Sequence, residues 1–285
     1  MTLKIAGLQT PGTLGDVEAN LRELHDAAEE AAGRGAELLV TSEMFVTGYA
    51  VGDALPELAA MDFLGPVQAL AERLGIAILL GAPEATDRGI FNAAYFVDDR
   101  GGLRSRYRKA HLFGDLDRRQ FLAGDDLFGL TEFRGVRIAT MICYDVEFPE
   151  TVRAAALAGA HLVAVPTAQM EPFEFVADQL VRTRAWENQI YVAYINHDGS
   201  EGDLAYVGRS SIVAPDATVL DSVEHGTRLI YAVVDPDHVG LRQEANPYLE
   251  DRRTALYTTL IEERGRTQCL RTQQHPRPRQ THPGN

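Results

Sequence analysis

The spacing of apolar residues alternates between two patterns along the first third of the chain. Short, mostly apolar runs at Leu3–Thr10, Glu37–Ser42 and Ile76–Gly81 predict strands, the second of them buried on both faces. Apolar residues recur at helical spacing over Asp16–Arg34 and Glu57–Leu74, which predicts two helices. Because strand–helix–strand order requires crossovers between parallel strands, this region predicts an α/β fold.

A hairpin follows, and the α/β pattern then resumes. Phe91–Asp98 and Leu103–Lys109 flank an Asp-Asp-Arg-Gly-Gly turn, which predicts an antiparallel pair, and the polar stretch Gly114–Asp126 predicts a loop. The remaining predicted elements are, in chain order, strand Val136–Ile142, helix Glu150–Leu157, strand Leu162–Pro166, helix Phe173–Asn188 and strands Ile190–Ile195, Val207–Ala214, Val219–Val223 and Arg228–Val234. Both halves of the chain are therefore expected to contain a parallel sheet with hairpin insertions.

The domain organisation follows from the absence of a flexible linker before residue 264. Residues 1–263 are expected to form one domain. Residues 264–285 hold five Arg, two His and three Pro but no acidic residue, and they lack the apolar area to fold alone. We expect this tail to be disordered or to dock on a partner subunit.

Composition and charge narrow the class of protein. The 285 residues are 45% hydrophobic and 24% charged, which is typical of a globular domain. With +5 in the tail and −14 overall, residues 1–263 carry −19, and such an acidic chain is unsuited to nucleic-acid binding. No apolar run approaches the roughly 18 residues that span a bilayer, and the N-terminus predicts a strand rather than a signal peptide. A cytoplasmic protein without membrane or nucleic-acid partners is expected.

The two cysteines, Cys143 and Cys269, cannot form a disulfide framework, so each thiol needs its own explanation. Cys143 ends a buried strand, and Phe148-Pro149-Glu150 then begins a helix. A thiol at such a strand-to-helix turn lies at the rim of the sheet, near helix N–H groups that favour the thiolate. Cys143 is therefore a candidate nucleophile, although free cysteines are also common as inert core residues.

Two further polar residues lie at the ends of predicted strands. Glu43 follows the run ELLVTS, where a carboxylate could act as a base. In LRSRYRK the two-residue period places Lys109 on the apolar face, where an ammonium group could stabilise an oxyanion. A solvated acid and a harmless, partly buried lysine are the alternative interpretations when each residue is taken alone.

Glu43, Lys109 and Cys143 together lie in segments that resemble the nitrilase superfamily of carbon–nitrogen hydrolases. The resemblance runs from about Lys4 to Tyr257 and is carried by SEMFVTGY at 42–49, YRKAHLFGDLDRRQFLAGD at 107–125, ICYDVEFPE at 142–150, VPTAQM at 165–170, RTRAWENQIYVAYIN at 182–196, GRSSIVAP at 208–215 and YLEDRRTALY at 248–257. It implies a four-layer αββα sandwich, a Glu–Lys–Cys triad and no metal or other cofactor. It also implies a homodimer, or a higher homo-oligomer, formed through the helices after Cys143 and around Trp186.

One position departs from the pattern of that superfamily. Many members carry a second glutamate a few residues after the lysine, and here this position falls on Asp117, whose side chain is one methylene shorter. Asp117 is the candidate for a fourth catalytic residue. Asp115 could compete for the role, and a surface-loop acid is the plainer interpretation.

The resemblance implies hydrolysis of a small amide, most similar to the aliphatic-amidase branch, through a cysteine thioester. Glu43 would act as base and acid, while Lys109 and the Tyr144 backbone N–H would stabilise the oxyanion. A nearby Lys109 ammonium would keep Glu43 ionised and favour the thiolate. The expected substrate-binding residues are Tyr49, Phe113, Tyr144, Glu147, Thr167, Ala168 and Gln169.

Other functions stay open. A nitrilase, or a hydrolase of N-carbamoyl compounds or ω-amides, would use the same residues. A Cys–His hydrolase would need His111 or His197 as its base, although both are more easily explained as structural. The loop acids lack metal-binding spacing, and no nucleotide-binding glycine motif is present. A binding or assembly protein without activity is the non-enzymatic alternative.

Overall fold

The computed structural model describes residues 1–261. Two compact units are present, Met1–Glu250 and a C-terminal unit that begins at Asp251. In the second unit the described residues form two short 3₁₀ turns, Thr254–Leu256 and Thr258–Ile261. The predicted tail 264–285, including Cys269, lies outside the described residues.

The first unit contains two six-stranded sheets. The first sheet has the order β14-β1-β2-β3-β4-β5, with β1 parallel to β2, β2 parallel to β3 and the other pairs antiparallel. Its strands are β1 Leu3–Gln9, β2 Leu38–Val40, β3 Ala77–Thr86, β4 Gly89–Val97, β5 Leu103–Arg108 and β14 Arg228–Val234. The predicted combination of parallel strands with a hairpin is confirmed for this half.

The second sheet has the order β13-β12-β9-β8-β7-β6, with parallel pairing of β7 with β8 and of β8 with β9. Its strands are β6 Gly129–Phe133, β7 Val136–Thr140, β8 Leu162–Thr167, β9 Tyr191–Asn196, β12 Ser210–Val213 and β13 Val219–Val223. A small hairpin, β10 Ser200–Glu201 with β11 Leu204–Ala205, stands apart from both sheets. The sequence pattern missed β6 and this hairpin.

Most of the helices flank the two sheets. They are α1 Val17–Gly33, α2 Leu55–Ala59, α3 Leu64–Leu74, α4 Gly114–Gln120, α5 Pro149–Leu157, α6 Val181–Asn188 and α7 Pro236–Ala245, and a π-helical turn at Val176–Leu180 leads into α6. Among residues 1–261, none of these helices is both long enough and apolar enough to cross a membrane.

Alternate residues of the buried strands belong to two different cores. In β2, Leu38 and Val40 pack between the sheets, whereas Leu39 packs against the helices of the first layer. Likewise, Leu79 of β3 packs between the sheets, and Ile78 packs against the helices of the first layer. Because side chains alternate across a strand, a strand between two cores must be apolar at every position. The expected α/β fold, a four-layer αββα sandwich, is confirmed.

Two sequence predictions were wrong in this region. The single helix predicted over Glu57–Leu74 is divided into α2 and α3, because the Asp62 carboxylate accepts a hydrogen bond from the Gly65 N–H and begins a new helix. The polar loop predicted at Gly114–Asp126 contains α4. Its helical residues carry little apolar periodicity because the side chain that α4 directs inward, Asp117, is charged.

Candidate active site

Cys143 lies just past the end of β7, at the start of a 3₁₀ turn, Cys143–Glu147, that leads into α5. Its φ of 46° is in the left-handed region, which non-glycine residues rarely adopt. The side chain is 7% exposed, and Sγ lies 3.8 Å from Gln169 Oε1. The sharp turn therefore holds a buried thiol at the rim of the second sheet, as the sequence predicted.

Glu43 is positioned by the chain that leaves β2. Its backbone N–H donates a hydrogen bond to Thr167 O at 3.2 Å, which ties the first sheet to the end of β8. A Cβ on Gly81 would lie 2.1 Å from Ser42 O and 3.0 Å from Glu43 Cα. Only glycine fits at that position, so Gly81 lets the strand next to β2 approach the turn that carries Glu43.

Lys109 follows β5 and is fixed through its backbone on both sides. Its N–H donates to Asn92 O at 2.8 Å, and its carbonyl accepts from Gly124 N–H at 2.8 Å. A Cβ on Gly124 would lie 2.3 Å from Arg108 O, so this close approach also requires glycine. These contacts fix the backbone of Lys109, whose side chain is fully buried.

The Lys109 ammonium group joins two buried carboxylates. Nζ lies 2.8 Å from Glu43 Oε1 and 2.7 Å from Asp117 Oδ2, and none of the three side chains is exposed. Glu43 Oε1 also accepts a hydrogen bond of 2.6 Å from Asn92 Nδ2. Within the part of the chain that the structure describes, Glu43 Oε2 is buried without a hydrogen-bond partner. One carboxylate oxygen is thus fixed while the other is available.

Asp117 is not a surface acid, so the plainer sequence interpretation was wrong. It is fully buried on α4 and, besides Lys109, accepts hydrogen bonds from Tyr49 OH and from Phe113 N–H at 2.9 Å. Asp115, the sequence competitor on the same helix, has a side chain that is 88% exposed. The shorter aspartate therefore reaches the lysine because α4 approaches it closely.

Burial controls the protonation of this cluster. Burial raises the pKa of the Cys143 thiol far above its usual range, and the Glu43 carboxylate adds to the shift while Lys109 opposes it. Burial also raises the pKa of Glu43, against the opposing effect of Lys109 and with a further contribution from Asp117. Although burial alone would lower it, the neighbouring carboxylate of Glu43 raises the pKa of Lys109. Lys109 thus acts on the thiol in the expected direction, by lowering its pKa, but burial has the larger effect.

A small pocket opens onto the thiol, and its empty space, which includes open solvent at its mouth, is about 250 Å³. Six of the seven residues predicted to bind substrate line it together with Cys143 and Met170, namely Tyr49, Phe113, Tyr144, Glu147, Ala168 and Gln169. Thr167 is absent from this lining. Its hydroxyl donates to Val165 O at 3.0 Å, and its carbonyl accepts from the backbone N–H groups of Glu43 and His197. Thr167 thus shapes the site through its backbone.

The two histidines proposed as alternative bases are engaged elsewhere. His111 Nδ1 lies 2.8 Å from Asp145 Oδ1, and its ring stacks on Phe148 with the centroids 4.0 Å apart. His197 contacts Glu201 Oε1 through Nε2 and Thr10 O through Nδ1. These contacts favour structural roles. No group of three or more potential metal ligands is assembled among residues 1–261.

Sequence reasoning missed two residues of the site. Asn92 binds Glu43, and its signal was a lone amide within the otherwise apolar strand IFNAAYFV at 90–97. Met170 lines the pocket, but an apolar residue after a strand carries no comparable signal. The Asn92 contact depends on the pairing of strands within the first sheet, which the local sequence pattern does not show.

Comparisons with known proteins agree with this geometry. A family model described as carbon-nitrogen hydrolase matches residues 4–243. The chain is 46% identical over 266 residues to the "Hydrolase in pqqF 5'region" of Pseudomonas protegens, covering 91% of this chain and 92% of the relative. It is 33% identical over 263 residues to an (R)-stereoselective amidase of Pseudomonas sp, covering 89% of this chain and 93% of that one.

Solved structures add a chemical observation. A crystal structure of an amidase from Nesterenkonia sp. is 32% identical, with a TM-score of 0.82 and coverage of 91% of this chain and 96% of that one. A mutant of the amidase from Nesterenkonia sp. AN1, 31% identical with a TM-score of 0.82, covers 91% of this chain and 97% of that one. That structure shows the acetamide moiety of fluoroacetamide added covalently to the active-site cysteine.

Proposed function

The chain belongs to the carbon–nitrogen hydrolase family of the nitrilase superfamily, and we propose that it is an amidase that converts small aliphatic amides to carboxylic acids and ammonia through a thioester on Cys143. The observation that carries this proposal is the buried cluster beside the thiol, in which Lys109 holds one oxygen of Glu43 and leaves the other available. The narrow pocket beside the thiol favours small substrates.

Acylation begins with transfer of the Cys143 proton to Glu43 Oε2 while the sulfur attacks the amide carbonyl carbon. The raised pKa of the thiol, caused by burial, means that a base must remove this proton during the attack. Burial also raises the pKa of Glu43, which brings that carboxyl closer to the neutral range where one group can accept and return a proton. Glu43 then protonates the amide nitrogen, the C–N bond breaks, and ammonia leaves.

The tetrahedral intermediate carries a negative oxygen that needs donors. An ammonium group has three N–H bonds, and Lys109 uses two of them for Glu43 and Asp117. The third can donate to the oxyanion. The backbone N–H of Tyr144 lies in the first turn of the helical segment after Cys143, where such groups have no partner within the helix, so it supplies the second donor.

Deacylation reverses the pattern of proton transfer. Glu43 removes a proton from water, the resulting hydroxide attacks the thioester carbonyl, and the C–S bond breaks. Glu43 returns the proton to the departing sulfur, so the carboxylic acid leaves and the thiol is restored. The water occupies the place that ammonia vacated, which explains how one carboxylate serves both half-reactions.

The proposal also includes the oligomeric state and the cellular location of the protein. We propose a homodimer in which α5 and α6 meet their partner copies, because Leu157 on α5 and Trp186 on α6 are 47% and 39% exposed. The acidic charge of the chain and the free thiol of Cys143 favour a cytoplasmic location. Size-exclusion chromatography with light scattering tests the dimer.

The reaction is tested with a panel of short amides, nitriles and carbamoyl compounds assayed for ammonia release, with mass spectrometry of the protein quenched during turnover. We expect release from short amides and an acyl adduct on the peptide that contains Cys143. Faster turnover of nitriles would support the nitrilase alternative instead. A complete lack of turnover across the panel would favour a binding protein.

A further inference from the structure

The carboxylate of Glu147 lines the pocket without an ion-pair partner. Glu147 is the last residue of the 3₁₀ turn that begins at Cys143, and its side chain is partly exposed. No Lys, Arg or His nitrogen among the described residues lies within 4 Å of its side-chain oxygens. Arg184, the nearby guanidinium group, instead pairs with Glu187 at 2.9 Å and donates to the backbone carbonyls of Val146 and Glu147.

Gln169 links this carboxylate to the nucleophile. Gln169 and Glu147 line the same pocket, and Gln169 Oε1 lies 3.3 Å from Tyr194 OH and 3.8 Å from Cys143 Sγ. The amide oxygen of Gln169 therefore faces the thiol, and the Gln169 side chain contributes to lowering the pKa of Glu147, which burial raises. Because Cys143 and Glu147 line the same small pocket, a substrate whose carbonyl carbon lies at the sulfur extends its acyl chain along walls that include Glu147.

The remaining walls are aromatic or apolar. Phe113 and Tyr144 pack edge to face with ring centroids 5.2 Å apart, and Tyr49 and Met170 complete the lining. Aromatic faces together with a carboxylate form a suitable environment for an organic cation. Of the described residues that line this pocket, none is Lys or Arg.

The charged cluster next to the thiol carries more formal negative than positive charge. Lys109 forms its ion pairs with the two carboxylates of Glu43 and Asp117 and none with Glu147. An amide that carries its own carboxylate would meet these charges without a compensating cation. The pocket therefore disfavours ω-amides of keto acids and N-carbamoyl amino acids.

We propose that the preferred substrates are small amides whose acyl chain carries an ammonium group, which pairs with Glu147 and packs against the aromatic walls. This inference rests on the proposed amidase function and specifies its substrate class. Burial raises the pKa of Glu147, and the charges of Arg184 and Lys109 oppose this rise without removing it. A bound ammonium group would supply the missing partner.

The test compares matched amides of two to five carbons in three forms: an unbranched neutral chain, the same chain ending in an amino group, and the same chain ending in a carboxylate. We expect kcat/KM for the best amino amide to exceed that of its neutral counterpart by about 10-fold or more, since hydrogen bonds to charged groups are the stronger ones. The carboxylate series should be the poorest.

Variants assign the preference to one side chain. In Glu147→Gln the ratio of kcat/KM between amino and neutral amides should fall to about one, whereas Glu147→Asp should retain part of it. Glu150→Gln, an exposed glutamate three residues further along, should keep the wild-type ratio. If the wild type hydrolyses neutral amides with no preference for the amino series, this inference is wrong while the amidase function stands. If no amide is hydrolysed, the proposed function itself fails.

Discussion

Lys109 Nζ lies 2.7 Å from Asp117 Oδ2, and neither side chain is exposed to solvent. The sequence left the role of this aspartate open, because it is one methylene shorter than the glutamate that the resemblance led us to expect. In the structure, α4 brings the carboxylate to the lysine, and Tyr49 and Phe113 hold it there. The contact orients the ammonium group that also binds Glu43.

Asp117→Asn should lower kcat by about 10²-fold or more, because it removes a charge that positions Lys109. Steady-state kinetics on the best short amide measure this effect. Asp115→Asn is the matched control, since Asp115 is the same residue type on the same helix and its side chain is 88% exposed. Small, equal effects at both positions would show that Asp117 has no catalytic importance.

Cys143→Ala should abolish ammonia release and adduct formation while leaving the fold intact, because it removes the nucleophile and little core volume. Turnover assays and circular dichroism together separate loss of chemistry from loss of structure. Cys269→Ser, in the segment outside the described residues, should retain wild-type turnover. Residual turnover in the Cys143 variant would contradict the covalent mechanism.

The strands were predictable because each lies between two apolar layers. Leu38, Leu39 and Val40 are all buried, and so they form the continuous run by which the sequence identifies β2. The three residues Glu43, Lys109 and Cys143 were recognisable for a related reason. A polar residue that interrupts such a run at the end of a strand must lie at the rim of a sheet.

The other features of the site, among them Asn92 and α4, could not be predicted because they depend on three-dimensional contacts that local sequence patterns do not encode. Asn92 reaches Glu43 only because β4 pairs with β3 beside the turn after β2. The helix α4 was missed because tertiary contacts of Asp117, rather than apolar periodicity, hold it in place. The raised pKa of the thiol likewise depends on burial, which opposes and exceeds the effect of Lys109.

Deletion of residues 264–285 should loosen the proposed dimer or lower its melting temperature. The tail carries +5 and residues 1–263 carry −19, so docking on an acidic surface is favoured and should weaken as salt screens it. Light scattering and thermal melts at low and high salt measure the effect. A full-length control with the five tail arginines replaced by glutamine separates charge from length. An unchanged oligomeric state and melting temperature in the truncated protein would show that the tail plays no part in assembly.

Glu201→Gln should destabilise the protein near neutral pH by about 1–3 kcal/mol, because it weakens a buried set of charge-assisted hydrogen bonds. The carboxylate accepts from the backbone N–H groups of Tyr49 and Ala50, from Tyr206 OH and from His197. Burial alone would raise the pKa of Glu201, but these donors, His197 foremost, lower it.

A lowered carboxyl pKa in the folded state fixes the sign of the pH dependence. Its contribution is fully present above the ordinary carboxyl pKa of 4.5 and is lost as the pH falls through the lower folded value. The difference in melting temperature between wild type and Glu201→Gln should therefore be constant from about pH 6 to 8 and shrink below about pH 4.5. Glu244→Gln, at an exposed position on α7, is the control and should follow the wild type throughout. A difference that grows on acidification would mean that Glu201 does not stabilise the fold through its charge.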